Sequence, residues 1–180
     1  YDKLPIGDAD RTVIFWLKKS SCGNADIALL QFGDSSDPRG IMNIRARPCA
    51  EWGDYITTSF PPDLNDFHKY TDALRGECFN DNWNHIAVTY SEGIVTTYCN
   101  GTAVDQWPPQ DTGERINTAS KKISVGWTTN LDSEDSSTII LDDISVYNYA
   151  MNSAHVYEAY NKATPNNDYP YISQVKPQDE

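Results

Sequence analysis

The sequence predicts an all-β protein whose antiparallel strands belong to a single domain. Three observations predict it: short runs rich in branched and aromatic residues, turn residues between those runs, and one segment in which strands and tight turns alternate without interruption. That segment covers residues 83–104, and Glu92-Gly93 and Asn100-Gly101 divide it into three runs rich in Val, Ile, Thr and Tyr. Because both pairs tolerate positive φ, we expect two consecutive hairpins there.

The remaining strands are predicted from composition and alternation. The run from Val13 to Leu17 is apolar at every position, which predicts a central strand covered on both faces. Polar and apolar residues alternate most clearly at 42–46 and 143–146, which predicts strands with one polar face. In chain order, the predicted strands run from Thr12 to Leu17, Ala25 to Phe32, Gly40 to Ala46, Tyr55 to Phe60, His85 to Tyr90, Ile94 to Cys99, Thr102 to Trp107, Lys122 to Trp127 and Thr138 to Tyr147.

One short helix is expected near the end of the domain. Asn152 and Ser153 are both effective helix N-caps, and Val156 and Tyr160 lie four residues apart on one face. We expect this face to close one end of a β-sandwich.

The last part of the chain differs in composition. From Thr164 it is rich in Pro, Asn, Tyr and Gln, and prolines at 165, 170 and 177 exclude a regular helix there. The sequence thus predicts a folded domain over 1–163 and an extended tail over 164–180. The tail residues that could anchor it on a neighbouring copy are Tyr169, Tyr171 and Ile172.

Charge and hydropathy exclude several classes of partner. The formal net charge is -12, so the chain lacks the basic surface that drives nucleic-acid binding and attraction to anionic membranes. The longest apolar run, from Val13 to Leu17, is far shorter than the roughly 20 residues that cross a bilayer. We therefore expect neither a nucleic-acid partner nor membrane insertion.

Cysteines and one sequon point to secretion. Cys22, Cys49, Cys78 and Cys99 lack the close pairs of a zinc site, and an even number in a turn-rich chain predicts two disulfides with three pairings open, among them the pairing of sequence neighbours. Asn100-Gly101-Thr102 is a glycosylation sequon at a predicted turn, where we expect the asparagine side chain to face solvent. Tyr1 follows no initiator Met, which would suit a mature secreted form.

Three segments, in order along the chain, resemble laminin G-like and pentraxin-like domains of the concanavalin A-like lectin/glucanase superfamily. They are RTVIFWLK at 11–18, WNHIAVTY at 83–90 with YCNG at 98–101, and LDDISVYNYAM at 141–151. The resemblance extends over roughly residues 8 to 162. It implies a jelly-roll sandwich of two antiparallel sheets, usually extracellular, that serves binding or adhesion and sometimes depends on calcium.

The resemblance suggests where a metal or a glycan would bind. Calcium needs six to eight oxygens, which such domains gather on loops at the rim of the sandwich. The candidate ligands are Asp132, Glu134 and Asp135 in one acidic loop, or Asp63, Asn65 and Asp66 in another; solvated loop charge is the alternative interpretation. Exposed aromatic faces near strand ends would bind sugars, for which the candidates are Trp52, Trp107 and Trp127, with burial in the core as the alternative.

Catalysis is disfavoured by the motifs. Glycan-cleaving members of the superfamily carry a Glu-x-Asp-x-x-Glu string on one strand face, and the sequence contains no such string. His68, His85 and His155 form neither a metal-binding spacing nor a nucleophile constellation. We therefore expect a secreted, non-enzymatic module that recognises a glycan or an extracellular protein. The alternatives are a structural subunit that assembles through its tail and, less favoured, a glycan-cleaving enzyme.

Overall fold

A computed structural model describes residues 4–20, 27–33, 42–47, 55–59, 77–107, 117–118, 122–128 and 139–162. These residues contain nine strands and one helix. Every strand overlaps one of those predicted from composition. The elements are β1 (Arg11–Lys19), β2 (Ile27–Phe32), β3 (Met42–Arg47), β4 (Tyr55–Ser59), β5 (Asn84–Ser91), β6 (Ile94–Cys99), β7 (Thr102–Trp107), β8 (Ile123–Thr128), β9 (Ile139–Tyr147) and α1 (Ser153–Lys162).

The strands form two antiparallel sheets. One sheet has five strands in the order β7-β6-β5-β1-β9, and the other has four in the order β4-β3-β2-β8. Each pairing within them is antiparallel. The all-β sandwich predicted from the sequence is therefore confirmed. Strand β1 lies between β5 and β9, as its apolar composition predicted.

The main core consists of apolar side chains contributed by both sheets. Alternate residues of each strand point to the same face, so a strand contributes every second side chain to this layer. Burying such side chains provides the main driving force for folding. Representative members are Phe15 and Leu17 of β1, Leu30 of β2, Ile44 of β3 and Val88 of β5, each less than 1% exposed.

Helix α1 lies on the outer face of the five-stranded sheet. Val156 is fully buried in a second, smaller cluster with Ile14, Ala87 and Tyr98, all three of which point away from the main core. The expectation that the helix closes one end of the sandwich was therefore wrong. The sequence pattern identified the apolar face of the helix, but it carried no information about which apolar patch of the sheet receives that face.

The beginning of α1 follows its predicted capping. The backbone N–H at position 155 donates a hydrogen bond to Oδ1 of Asn152 at 2.9 Å, which satisfies one of the free donors of the first helical turn. Among the described residues, no helix is long and apolar enough to cross a membrane.

Both predicted hairpin turns are present in the β5-β6-β7 segment. Glu92 and Gly93 have φ values of 50° and 85°, and Asn100 and Gly101 have values of 48° and 80°. A disulfide between Cys78 and Cys99 joins the segment before β5 to the end of β6, 21 residues further along the chain. This is one of the pairings that the sequence left open; Cys22 and Cys49 lie outside the described residues.

Arg11 anchors the segment that precedes β1. Its side chain is fully buried and donates hydrogen bonds from Nε to the carbonyl oxygen of Ala9 at 3.0 Å and from Nη2 to that of Gly7 at 2.7 Å. Nη1 donates to Oγ1 of Thr118 at 3.0 Å. The guanidinium also lies 5.7 Å from the centre of the Tyr90 ring, within cation-π range. Arg11 therefore connects the segment of Gly7 and Ala9, as well as Thr118, to the start of β1.

Candidate functional site

The outer face of the four-stranded sheet carries a polar layer. Because Met42, Ile44 and Ala46 lie in the main core, the alternating residues Asn43 and Arg45 of β3 belong to the opposite face. In the register, Asn43 pairs with Gln31 of β2, and Arg45 pairs with Thr57 of β4. We call this set, Gln31, Asn43, Arg45 and Thr57, the polar layer.

Two atoms of the polar layer are buried without a hydrogen-bond partner, namely Oδ1 of Asn43 and Nε of Arg45. Asn43 is 6% exposed and Thr57 is 2% exposed, whereas Arg45 remains partly exposed. A buried polar atom that lacks a partner costs about 1–3 kcal/mol of stability. Such atoms are rare in native structures, and each calls for an explanation such as a functional role or a bound water or ion.

The polar layer also stands out by its charge. Strands β2, β3, β4 and β8 read IALLQF, MNIRAR, YITTS and ISVGWT, so they hold two arginines and no carboxylate. The chain as a whole has a formal net charge of -12. All charged residues of these four strands are therefore basic, in contrast to the chain as a whole. Its chemistry suits amide and guanidinium hydrogen bonds to hydroxyl, carboxylate or sulfate groups.

Two of the three tryptophans that the sequence suggested for sugar binding, Trp127 and Trp107, lie on different sheets. Trp127 lies on β8, where its Cα pairs with that of Ala28, whose other neighbour across the sheet is Arg45. Trp107 ends β7 on the other sheet, opposite Val95. Trp52 lies outside the described residues. Of the two described positions, the backbone therefore brings Trp127, and not Trp107, onto the sheet that carries the polar layer.

The residues of the polar layer were missed by sequence reasoning, although a signal for them existed. Alternation in Met42-Asn43-Ile44-Arg45-Ala46 is among the clearest in the chain, and it predicts a strand with one polar face. The pattern did not reveal that the alternating polar residues would become buried. Nor did it reveal that Gln31 and Thr57 would align with them across the sheet.

The predicted acidic loops and the tail fall outside the described residues. This holds for both calcium candidates and for the assembly residues, which are Asp132, Glu134, Asp135, Asp63, Asn65, Asp66, Tyr169, Tyr171 and Ile172. Within the part of the chain that the structure describes, no group of three or more His, Cys, Asp or Glu side chains could hold a metal ion.

The sequon asparagine does not face solvent freely, contrary to expectation. Oδ1 of Asn100 accepts a hydrogen bond from the backbone N–H of His85 at 2.9 Å, and its Nδ2 donates to Oδ1 of Asn84 at 3.1 Å. Nδ2 is the atom to which a glycan would be attached. The turn residue Gly101 is buried beside Tyr157 and Tyr160 of α1. The reason is that this turn packs under the helix, which the local turn sequence could not indicate.

Comparison with known proteins gives a family and a set of similar folds. A family model described as the concanavalin A-like lectin/glucanases superfamily matches residues 2–157. No curated protein sequence matches the chain.

Similar solved structures include the binding domain of Paraclostridial Mosquitocidal Protein 1, with 18% identity and a TM-score of 0.59 over 86% of this chain and 37% of that one. The receptor binding domain of botulinum neurotoxin C/D mosaic serotype has 16% identity and a TM-score of 0.62, over 86% and 36%. Botulinum neurotoxin type C, whose cell entry depends upon interaction with two ganglioside molecules, has 15% identity and a TM-score of 0.53, over 86% and 36%. The chain thus spans little more than a third of these proteins, and at such identities the likeness concerns the fold alone.

Proposed function

Because the chain belongs to the concanavalin A-like lectin/glucanases superfamily, we propose that it is a secreted, non-enzymatic binding module that recognises an anionic glycan at the polar layer. The observation that carries this proposal is the pair of buried, unpartnered atoms, Oδ1 of Asn43 and Nε of Arg45. One atom is an acceptor and the other a donor, and they lie on neighbouring positions of one strand face.

The chemistry of the polar layer matches a sugar that carries a negative charge. Carboxamides such as those of Gln31 and Asn43 bind hydroxyl groups as both donors and acceptors. A guanidinium binds carboxylate or sulfate oxygens through charge-assisted hydrogen bonds, which are about twice as strong as neutral ones. Since the four strands contain no carboxylate that would repel such a group, Arg45 is available to it.

A similar toxin chain supports a glycan as a class of ligand. Botulinum neurotoxin type C interacts with gangliosides, which are glycan-bearing molecules, and it contains a sandwich like this one. The polar layer itself supports the same class of ligand, because it places several hydrogen-bonding groups side by side on one face of a sheet, with Arg45 partly exposed.

A binding role is favoured over hydrolysis by the residues of the sheet. Retaining glycosidases need two carboxyl groups about 5–5.5 Å apart, and inverting enzymes need them about 6.5–9.5 Å apart. The four strands of this sheet contain neither Asp nor Glu. Absence of turnover on a panel of β-glucans would agree with this interpretation, whereas turnover would overturn it.

The proposal is tested on a glycan array that holds matched sialylated, sulfated and neutral glycans. We expect binding to an anionic member and loss of that binding when its charged group is removed. Arg45→Gln should weaken the affinity by about 10- to 100-fold, the loss expected for one charge-assisted hydrogen bond.

The matched control is Lys122→Gln, which removes an exposed positive charge just before β8. It should leave the affinity unchanged. Binding to no glycan would overturn the proposed function. Equal binding of neutral and anionic glycans by both variants would overturn the role of Arg45 but keep glycan recognition.

Self-assembly is a second candidate function, favoured by strand β8. This strand ends the four-stranded sheet and contains no charged residue, and its Val125 is 42% exposed. Uncharged edge strands pair readily with other chains. Sedimentation of the full chain over a range of concentrations tests this candidate. Polymers that persist after deletion of 164–180 would support pairing through β8, and polymers that disappear would support assembly through the tail. A monomer at every concentration would exclude this candidate.

A further inference from the structure

His85 of β5 is buried beneath helix α1 in a group of aromatic rings. Its side chain is fully buried, and its ring centre lies 5.2 Å from that of Trp16 of β1 in an edge-to-face arrangement. The ring of Tyr160 of α1 covers both, with centre distances of 5.6 Å to His85 and 6.0 Å to Trp16. The imidazole is therefore part of the contact between the sheet and the helix.

Three nitrogen atoms in this contact have no hydrogen-bond partner: Nδ1 and Nε2 of His85 and Nε1 of Trp16. A neutral imidazole has one donor and one acceptor, whereas the protonated ring has two donors and a positive charge. Protonation would thus place a charge between aromatic rings, on nitrogen atoms that have no hydrogen-bond acceptor within reach among the described residues. Burying an uncompensated charge is far more costly than burying a neutral polar group.

The titratable groups on the surrounding elements make no hydrogen bond to the imidazole. They are Lys18 of β1, Tyr98 of β6, Asp142 of β9, and His155, Tyr157, Glu158, Tyr160 and Lys162 of α1. Asp142 is the nearest carboxylate by register, since its Cα pairs with that of Trp16, and its Oδ1 accepts a hydrogen bond from the backbone N–H of Asp143. Burial alone lowers the pKa of His85 to about 4, and no charged group adds to the shift.

Helix α1 is held to the sheet by a small contact. Val156 is its one buried residue, with Ala159 and Tyr160 partly buried. One polar contact, between the hydroxyl groups of Tyr98 and Ser153 at 3.4 Å, adds to the attachment. The sandwich, by comparison, rests on the large core between two sheets. Local opening of the helix should therefore precede unfolding of the sheets.

We propose that helix α1 is an acid-released cover, so that protonation of His85 detaches Ser153–Lys162 from the outer face of the five-stranded sheet while the sandwich stays folded. Release exposes the apolar and aromatic surface formed by Ile14, Trp16, Tyr98 and Val156.

The direction and size of the effect follow from proton linkage. The pKa of His85 is about 4 when helix α1 covers it, against 6.5 for an exposed histidine, so the open state binds the proton preferentially. The docked helix is therefore favoured at neutral pH, and its docking weakens as the pH falls below 6.5. With these values, the equilibrium constant for opening rises by about 20-fold between pH 7 and pH 5.

Hydrogen exchange of the full chain, followed by mass spectrometry, tests the proposal at pH 7, 6 and 5. After correction for the intrinsic pH dependence of exchange, peptides from α1 should lose protection by about 20-fold, and peptides from β1 and β5 should keep theirs. His85→Phe and His85→Gln should each abolish the pH dependence in α1. His85→Phe is included in case His85→Gln fails to fold, because a phenyl ring fills the same space without a polar atom.

His155→Gln is the matched control, because His155 lies on the same helix and is exposed. It should keep the full pH dependence. The proposal is overturned if protection of α1 does not change with pH, if β1 and β5 lose protection together with α1, or if the pH dependence survives in His85→Phe.

Discussion

The backbone N–H of His85 donates a hydrogen bond to Oδ1 of Asn100 at 2.9 Å, and the carbonyl oxygen of His85 accepts one from the backbone N–H of Asn100 at 2.8 Å. Two hydrogen bonds thus join the start of β5 to the turn after β6. Asn100 adopts positive φ, a conformation that asparagine tolerates better than most residues, and its Nδ2 donates to Asn84 as well. This asparagine, which is part of a sequon, therefore also acts as a structural clamp, by which we mean that its hydrogen bonds hold the turn after β6 against the start of β5.

Asn100→Ala should destabilise the domain by about 1–3 kcal/mol, because it removes an acceptor and a donor that pair across two strands. The measurement is urea unfolding at neutral pH. Thr102→Ala destroys the same sequon at an exposed position, so it should change the free energy of unfolding by less than about 0.5 kcal/mol. Equal effects of the two substitutions would contradict the role of Asn100 as a clamp.

Glycan attachment at Asn100 should compete with folding, since the acceptor atom Nδ2 is engaged in the folded domain. We expect a chain translated into microsomes to gain more glycan when reductant prevents closure of the Cys78–Cys99 disulfide. The occupancy is read as a mass shift that disappears in Thr102→Ala. Efficient modification of the purified folded domain would contradict this expectation.

Gly101→Ala should loosen the attachment of α1. A Cβ atom at this position would lie 3.0 Å from Cδ2 of Tyr157 and 3.1 Å from Cδ1 of Tyr160, and the residue has a φ of +80°. Positive φ alone costs about 1–2 kcal/mol for alanine, and overpacking adds about 1–3 kcal/mol. We expect a total near 3 kcal/mol, measured by chemical unfolding, with increased hydrogen exchange in α1.

Gly126→Ala is the matched control for that substitution. Gly126 also has positive φ, +68°, but a Cβ atom there would meet nothing within 4 Å. It should cost only the conformational term, about 1–2 kcal/mol, and leave α1 protected. If both alanines have the same effect on α1, packing against Tyr157 and Tyr160 does not hold the helix in place.

Arg11→Lys should destabilise the domain by about 2–4 kcal/mol, although it preserves the formal charge. The three acceptors of Arg11 lie around a planar fork, which a single ammonium group cannot match. Burial lowers the pKa of Arg11 to about 10, which leaves it charged at neutral pH, whereas the same burial drives a lysine towards its neutral form. Thermal and urea unfolding of the variant check this, and a loss below about 0.5 kcal/mol would contradict it.

Local sequence signals predicted the elements of this fold well. Strand periodicity located β1 to β9, and the capping residue Asn152 located the start of α1. Glu92-Gly93 and Asn100-Gly101 form the two predicted turns because their positive φ requirement is encoded within the turn itself. Such signals act over a few residues, so a single sequence is enough to read them.

Contacts between elements that lie far apart in the sequence could not be predicted from local sequence signals. The sequence indicated that Val156 and Tyr160 share a face, but not that this face would cover Trp16 and His85. It suggested tryptophans for a ligand site, whereas the site that we propose rests on unpartnered atoms of Asn43 and Arg45. Alignment across strands far apart in sequence creates such sites, and no short motif records it.

The covalent bond between Cys78 and Cys99 has a mechanical consequence. It lies at the open end of the β5-β6 hairpin, so a pulling force applied to the two ends of the chain bypasses the loop between these residues. The ends of that loop are 21 positions apart in the chain, and because the loop adds nothing to the extended length, the fully stretched protein is shorter by roughly 70 Å. Under tension, strands β5 and β6 would remain linked after the other strands of the larger sheet had been pulled away. Reduction of the bond would release this hidden length as a distinct step in a force-extension trace.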